Sequence, residues 1–249
     1  MLFRSALAHL GMGMLWAARS NIGDLPPHEG WPKAKSAALK ILAQDDTLAE
    51  AHALLAGVLG WYGWDWPAAE REFRRDIELN PNFADAHRNY SLLLASTGRR
   101  EQGMVEIRRA LELDPQSPLY QLNYGRAQFY LGRYDDATAS WQRLLRTDPD
   151  FTLTHRSLWD AFHKKGSYEE ALVEARKFYA ARGDGEAAEA LARGYAEGGY
   201  PRAMHVAAEK LAARSKLRYV HATAVARLYA YAGEKDRAQI GRASCRERV

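Results

Sequence analysis

The sequence contains one cysteine, Cys245, and no long run of apolar residues. A single cysteine excludes a disulfide framework and a metal site built from several cysteines. The longest apolar stretch, from Ala6 to Ala18, includes His9 and is shorter than the about 20 residues that a membrane-spanning helix requires. The sequence therefore predicts no membrane span.

Motifs that carry common enzyme chemistry are also missing. The sequence has no Gly-x-Ser-x-Gly elbow for a nucleophilic serine. Gly11-Met12-Gly13 lacks both the third glycine of a dinucleotide loop and the lysine of a Walker loop. The histidines do not show the His-x-x-Glu-His or similar spacing of a metal site. We therefore expect no catalytic residue, no cofactor and no metal ion, and a non-enzymatic function.

The sequence also lacks a large net charge of either sign. The chain has 35 Lys and Arg against 31 Asp and Glu, a net charge of +4. Residues 240–249 resemble the translation of a short sequencing adapter, and residues 2–5 resemble its reverse complement. We expect residues 1–5 and 240–249 to be non-native tails. Without their charged residues the chain has 31 basic and 30 acidic residues, a balance that disfavours a nucleic-acid partner.

What the sequence does contain is a repeat. Pro81, Pro115 and Pro149 are each 34 residues apart, and each ends a similar phrase, such as Leu111-Glu112-Leu113-Asp114-Pro115. A fixed period of about 34 residues is typical of a helix–turn–helix solenoid. Glycine in the turn and proline after the second helix suit this structure, because glycine adopts turn conformations freely and proline cannot continue a helix.

The repeats resemble the tetratricopeptide repeat family over Ala6 to Ala238. The fourth repeat carries the resemblance most clearly, with Tyr124, Gly125, Gly132, Tyr134, Ala137, Trp141, Leu144 and Pro149. The resemblance implies an all-α fold, a right-handed α-solenoid of about six and a half antiparallel helix pairs. It also implies a single domain over residues 6–238.

Both ends of the array depart from the period. In the first repeat, Asn21 to Gly30 is predicted to be an inserted loop, with the second helix running from Trp31 to Ala43. The seventh repeat shows only its first helix, from about Tyr219 to Ala232. A first helix without its partner is expected to leave Val225, Leu228 and Tyr229 uncovered. This predicts fraying or self-association at that end.

The roles of one group of histidines and one run of aromatic residues are interpreted from their positions in the repeats. His9, His87 and His155 share one repeat position, where the family often places a large aromatic residue that packs on the next repeat. The run from Trp61 to Pro67 is the densest aromatic stretch, at a turn between helices. It is interpreted either as packing under the inserted loop or as an exposed binding hot spot.

In the tetratricopeptide repeat family, the first helix of each pair lines a concave groove at its second, fifth, ninth and twelfth repeat positions. Here those positions hold Asp85, Arg88, Leu92, Leu119, Leu122, Arg126, Phe129, Arg156, Asp160 and His163. The leucines and the phenylalanine suit an apolar anchor, and the arginines suit bidentate binding of carboxylates. The resemblance implies a protein or peptide partner in this groove. The alternative is an ordinary solvated helix surface.

The groove differs from the carboxylate clamp found in part of the family. Its ninth positions hold Val58, Leu92 and Arg126 instead of asparagine. The sequence therefore does not predict recognition of a C-terminal carboxylate by that clamp.

Phrases in the first two repeats, Pro32 to Lys40, Asp46 to His52 and Asp65 to Phe73, resemble the C-terminal repeat region of large bacterial signalling proteins. There, similar repeats follow a winged-helix DNA-binding domain, a nucleotide cyclase or a serine/threonine kinase. The resemblance implies a cytoplasmic interaction scaffold within a larger regulatory protein. Two alternatives remain at this point: the regulatory half of such a protein, or a nucleic-acid-binding helical solenoid.

Overall fold

The computed structural model describes residues 2–22, 24–217 and 220–239. These residues form α-helices joined by short turns and contain no β-strand. The helices are α1 (Leu2–Ile22), α2 (Pro27–Leu42), α3 (Ala49–Trp61), α4 (Trp66–Leu79), α5 (Ala84–Ser96), α6 (Arg100–Leu113), α7 (Pro118–Tyr130), α8 (Tyr134–Thr147), α9 (Leu153–Lys165), α10 (Tyr168–Ala181), α11 (Gly185–Arg214) and α12 (Ala222–Tyr231). The predicted all-α fold of antiparallel helix pairs is confirmed. None of the described helices is long and apolar enough to cross a membrane.

The chain divides into two compact units. Unit 1 contains the described residues up to Leu131, and unit 2 contains those from Gly132 onward. In unit 1, α1 packs on α2, α3 on α4 and α5 on α6, and each pair contacts the next. In unit 2, α9 packs on α10, α10 on α11 and α11 on α12.

Helix ends follow the turn chemistry that the sequence predicts. Gly166 ends α9 in the left-handed conformation at φ 76°, and the N–H of Ser167 reaches back to the carbonyl of Phe162 at 2.9 Å. Glycine is favoured there because it has no Cβ to clash at positive φ. At the start of α4, the Asp65 carboxylate accepts a hydrogen bond from the N–H of Ala68 at 3.0 Å. Aspartate is favoured as an N-cap because its carboxylate satisfies a backbone N–H that has no partner within the helix.

Small residues allow the paired helices to approach closely. Ala34, Ala38, Ala56 and Ala69 are fully buried where helices cross. A Cβ added to Gly60 would lie 3.3 Å from the Cβ of Ala69, so α3 and α4 are almost in backbone contact there. The alanines and glycines at these positions therefore set the distance between helices.

The helix α11 contains a complete helix pair. Its backbone leaves the helical conformation at Gly198 and Gly199, and Gly199 has φ 70°. The chain turns back there, so that Gly194 lies against the backbone of Ala203. This is the sixth repeat, in which two consecutive glycines form the turn between the two helices.

The predicted insertion in the first repeat is wrong in length. Instead of a loop up to Gly30, the structure starts α2 at Pro27. Proline is tolerated in a first helical turn, because the N–H that it lacks would have no partner within the helix. Gly30 lies inside α2 and against α1, because a Cβ there would be 3.0 Å from the carbonyl oxygen of Trp16. Glycine marks a close helix contact at this position and does not mark a loop.

The prediction that Leu228 and Tyr229 are uncovered is also wrong, and Val225 is partly buried against the same core. The helix α12 runs from Ala222 to Tyr231, and Leu228 and Tyr229 on it are buried against the second half of α11. The backbone is helical again at 235–239, and Ala238 packs into the same core. The proposed tail at 240–249 lies outside the described residues.

Candidate functional site

In unit 1, the first helices of successive pairs lie side by side, because α5 contacts both α3 and α7. Asp85, Arg88 and Leu92 lie on one face of α5 at the spacing of neighbouring helix turns. The Arg88 Nε donates to Asp85 Oδ1 at 2.8 Å. Burial and the nearby Asp85 carboxylate raise the pKa of Tyr120 to about 12, which keeps its hydroxyl protonated beside this pair.

The helix α7 contributes Leu119, Arg126 and Phe129, which are partly exposed. The Arg126 guanidinium donates from Nη1 to Asn123 Oδ1 at 3.3 Å. Leu122 is fully buried and belongs to the core, so its predicted place in the groove is corrected. Unit 1 thus presents apolar side chains next to two arginines and one carboxylate.

In unit 2, the predicted residues Arg156, Asp160 and His163 share one face of α9. Asp160 accepts a hydrogen bond from the Tyr231 hydroxyl at 2.8 Å. The His163 ring stacks on the Tyr231 ring with 3.7 Å between centroids. Two of the three predicted residues are therefore in contact with α12.

The same face of unit 2 is rich in cationic groups. The Arg227 Nε lies 3.8 Å from Asp160 Oδ1. Burial, followed by the positive charges of Arg227 and Arg156, lowers the pKa of His221. The Asp160 carboxylate thus lies beside the Arg227 guanidinium, and the positive charges of Arg227 and Arg156 both act on His221.

Sequence reasoning missed Arg227 and Tyr231 as members of this face. Both lie on α12, and Tyr231 is 71 residues beyond Asp160. The repeat period places α12 as a first helix, but it does not predict that its side chains reach α9. The contact joins residues far apart in the sequence, so it depends on how the helices between them fold.

In three helix pairs a histidine of the first helix contacts a glutamate of the second helix, an interaction that we call the histidine tie. His87 Nδ1 lies 2.6 Å from Glu106 Oε2, and its Nε2 lies 3.0 Å from the carbonyl oxygen of Pro81. The pairs His52–Glu72 and His155–Glu174 have the same 2.6 Å distance. For His87 both ring nitrogens face acceptors, so the doubly protonated ring satisfies both contacts. The hydrogen bond to Glu106 accordingly raises the pKa of His87.

The structure changes which histidines are grouped. His87 and His155 share the tie, whereas His9 is exposed on α1. His52 was missed because it precedes His87 by 35 residues instead of 34. The glutamates Glu72 and Glu106 keep the regular spacing of 34 and would have revealed it. In the fourth repeat Gln121 replaces histidine and donates to the carbonyl of Pro115 at 2.9 Å.

We expect the His87 tie to stabilise the fold most in acid. Since the folded pKa of His87 is raised above the unfolded value, its contribution is fully present below about pH 6.5 and is lost as the pH rises through the folded pKa. At pH 6, His87→Gln should lower the free energy of unfolding by about 1–2 kcal/mol. The difference should shrink at pH 9, when the ring can donate only one hydrogen bond.

Urea unfolding of both proteins at each pH measures this difference. His28→Gln, which alters an exposed histidine at 58% side-chain exposure, is the control and should follow the wild type at both pH values. A constant difference between His87→Gln and wild type from pH 6 to pH 9 would show that the ring is not protonated in the tie.

Among the described residues, no group of three or more His, Cys, Asp or Glu side chains is placed to hold a metal ion. The groups available on the first-helix faces are guanidinium, carboxylate, imidazole and phenol side chains. Their arrangement suits binding of a charged, partly apolar segment.

No protein-family model matches the chain, and no curated protein is similar to it in sequence. Solved structures are similar in fold. PilW, described as a widely conserved type IV pilus biogenesis factor, aligns with TM-score 0.62 and 19% identity over 83% of this chain and 92% of its own.

Two further structures agree. The thermophilic TPR protein TTC0263 of Thermus thermophilus aligns with TM-score 0.61 and 18% identity, over 74% of this chain and 98% of its own. Pseudomonas aeruginosa pilF aligns with TM-score 0.57 and 19% identity, over 96% of this chain and 89% of its own. Identities this low show the fold alone, which is the tetratricopeptide-type helical repeat.

Proposed function

We propose that the chain is a non-enzymatic interaction scaffold that binds a protein or peptide segment on the first-helix faces of its repeats. The observation that carries the proposal is the surface of α5 and α7 in unit 1. There Leu92, Leu119 and Phe129 are accessible beside Arg88 and Arg126. Apolar contacts would supply affinity, and the guanidinium groups would orient acidic side chains of the ligand.

Peptides selected from a phage-displayed library on the purified chain test this proposal. Fluorescence anisotropy of the selected peptides should show at least a tenfold loss of affinity for Arg126→Glu, since truncating or reversing a central arginine contact costs about 1.4 kcal/mol or more. The matched control is Arg108→Glu, the same charge change at an exposed position on α6. Its affinities should stay within about twofold of wild type.

Peptides that bind Arg126→Glu and Arg156→Glu as tightly as the wild type would contradict the proposal. The salt dependence of binding distinguishes a nucleic-acid ligand from a peptide ligand. A protein that neutralises several phosphates loses affinity steeply as the salt concentration rises. The face of unit 1, with two arginines and one aspartate, carries little net charge, which favours a protein ligand.

We also propose that the scaffold acts in the cytoplasm, as the interaction part of a larger bacterial signalling or regulatory protein. The support is the resemblance of residues 32–40, 46–52 and 65–73 to the repeat regions of such proteins. The intact gene tests the proposal. A winged-helix, nucleotide cyclase or kinase domain encoded before the repeats would support it, and a gene that encodes repeats alone would contradict it.

A further inference from the structure

The turn between α3 and α4 differs from the corresponding turns of the third, fourth, fifth and seventh repeats. A glycine with positive φ directly precedes the cap of the second helix at the corresponding turns, namely Gly98, Gly132, Gly166 and Gly233. In the second repeat this position is held by Trp64, with φ 57°. Among the described residues, Trp64 is the one non-glycine residue with positive φ.

Neither the backbone nor the core accounts for tryptophan at this position. A bulky residue in the left-handed region is strained, and glycine would remove the strain. Trp64 is 61% exposed, so its side chain adds little to the buried core. Strained residues concentrate at ligand-binding positions, where the geometry of the side chain matters more than stability.

The Trp64 ring is held in place by its neighbours. It meets the Trp66 ring at 89° with 5.5 Å between centroids. Trp66 in turn meets the half-buried Trp61 at 72° and 5.9 Å. Trp64 and Trp66 thus form a corner of two perpendicular rings, which we call the tryptophan corner. Its support by Trp61 fixes the corner before any ligand arrives.

The charges next to the tryptophan corner are already paired within the protein. The Asp65 carboxylate caps α4. Glu70, one turn beyond Trp66, accepts hydrogen bonds from Arg99 at 2.8 and 2.6 Å. The hydrogen bond from Arg99 lowers the pKa of Glu70 to about 2, so this pair stays ionised and mutually neutralised. A ligand of the corner is therefore recognised by the aromatic rings and not by charge.

We propose that the tryptophan corner binds a proline-rich segment in the polyproline II conformation. Proline rings stack on aromatic side chains, and a polyproline II segment is already extended before binding, so little conformational entropy is lost. Such a segment carries no charge, which matches the neutralised surroundings of the corner. The site lies at a helix–helix turn and is separate from the face of α5 and α7.

Titration of fluorescein-labelled decaproline into the full chain, followed by fluorescence anisotropy, tests the proposal. We expect saturable binding that weakens at least tenfold in both Trp64→Ala and Trp64→Gly. The matched control is Tyr168→Ala, which removes an exposed, stacked aromatic ring at a turn of unit 2. Tyr168→Ala and Arg126→Glu should bind decaproline as the wild type does, which separates this site from the proposed groove.

A second measurement tests the strain and verifies folding. Trp64→Gly should unfold about 2 °C or more above Trp64→Ala, because glycine takes positive φ without cost and alanine does not. Equal or reversed unfolding temperatures would remove the strain argument on which the proposal depends.

Three results would overturn the proposal. The first is no saturable binding of decaproline up to about 1 mM. The second is binding that both Trp64 variants retain. The third is self-association of the unliganded chain that is lost in Trp64→Ala, measured by sedimentation velocity, since the corner would then be covered by a second copy.

Discussion

Replacing Asp76 with alanine should stabilise the protein above neutral pH by roughly 3 kcal/mol, which is a typical cost for a buried charge without a partner. Asp76 on α4 is completely buried, and none of the described residues donates a hydrogen bond to either carboxylate oxygen. The corresponding residues of the next two repeats, Ala110 and Leu144, are apolar and buried. The carboxyl group therefore occupies a core position.

The surroundings of Asp76 explain its proton affinity. Burial raises the pKa of Asp76 to about 8, and the neighbouring carboxylates Glu50 and Asp85 act in the same direction. His87 opposes them by its positive charge. In the folded protein Asp76 is thus protonated at pH 6 and becomes ionised as the pH rises above 8.

The pH dependence follows from the difference between folded and unfolded pKa. Between the unfolded value of 3.8 and the folded value of about 8, the folded state binds the additional proton, so the free energy of unfolding falls as the pH rises. Each pKa unit is worth about 1.36 kcal/mol, so the loss across this window of about four units is at most roughly 6 kcal/mol. Asp76→Ala removes the ionisation, and the expected gain of roughly 3 kcal/mol is smaller than this loss because alanine also loses the packing contacts of the buried side chain.

Urea unfolding at pH 5, 7 and 8.5 measures the effect for wild type, Asp76→Ala and Asp76→Asn. Asparagine keeps the size and polarity of the side chain but cannot ionise, so it should abolish the pH dependence while stabilising less than alanine. The prediction fails if the difference in free energy of unfolding between wild type and Asp76→Ala is the same at all three pH values. The Asp76 carboxyl group would then not change its ionisation between pH 5 and pH 8.5.

Gly194→Ala should destabilise unit 2 by about 3 kcal/mol, the upper end of the usual cost of overpacking. A Cβ at Gly194 would lie 2.8 Å from the Cα of Ala203 and 2.8 Å from the carbonyl oxygen of Arg202. These are backbone atoms, so no side chain can move aside. The two halves of α11 would have to separate, and the packing of Met204 and Ala207 would be lost with them.

Thermal unfolding followed by circular dichroism measures this loss, with Gly185→Ala as the matched control. Gly185 is in the first turn of the same helix α11, and a Cβ there meets no atom within 4 Å. The control should therefore be neutral or stabilising by up to about 1 kcal/mol. Equal unfolding temperatures for the two variants would show that the halves of α11 are not in backbone contact.

The repeat period predicted most of the helices. Prolines at 81, 115 and 149 marked the ends of second helices, and α4, α6 and α8 end two residues before each of them. The prediction of helices from the repeat period was wrong where a residue type occurs both in loops and at special positions in helices. Glycine is unfavourable in an isolated helix, so the sequence predicts a loop at Gly30, whereas in the structure this glycine allows α2 to contact α1. The same predicted loop includes Pro27, although proline is well tolerated in a first helical turn.

The candidate sites were predicted less completely. The family positions identified Arg88, Arg126 and Phe129 on accessible first-helix faces, but they also included Leu122, which is buried. Repeat numbering assigns a position to each residue and does not measure how deeply its neighbours cover it. Asp160 and His163 lie on α9, and their contacts with Tyr231 depend on a helix two repeats further along.

Two statements about this protein follow from its sequence by itself: it is built of helix pairs of about 34 residues, and it lacks the motifs of common enzymes. Periodicity and turn chemistry are local properties, so a single sequence contains them. The tertiary structure alone decided that the Asp76 carboxylate has no hydrogen-bond donor among the described residues, that Trp64 replaces glycine in a strained turn, and that α12 reaches α9. Burial, backbone strain and contacts between distant residues depend on which surfaces meet after folding.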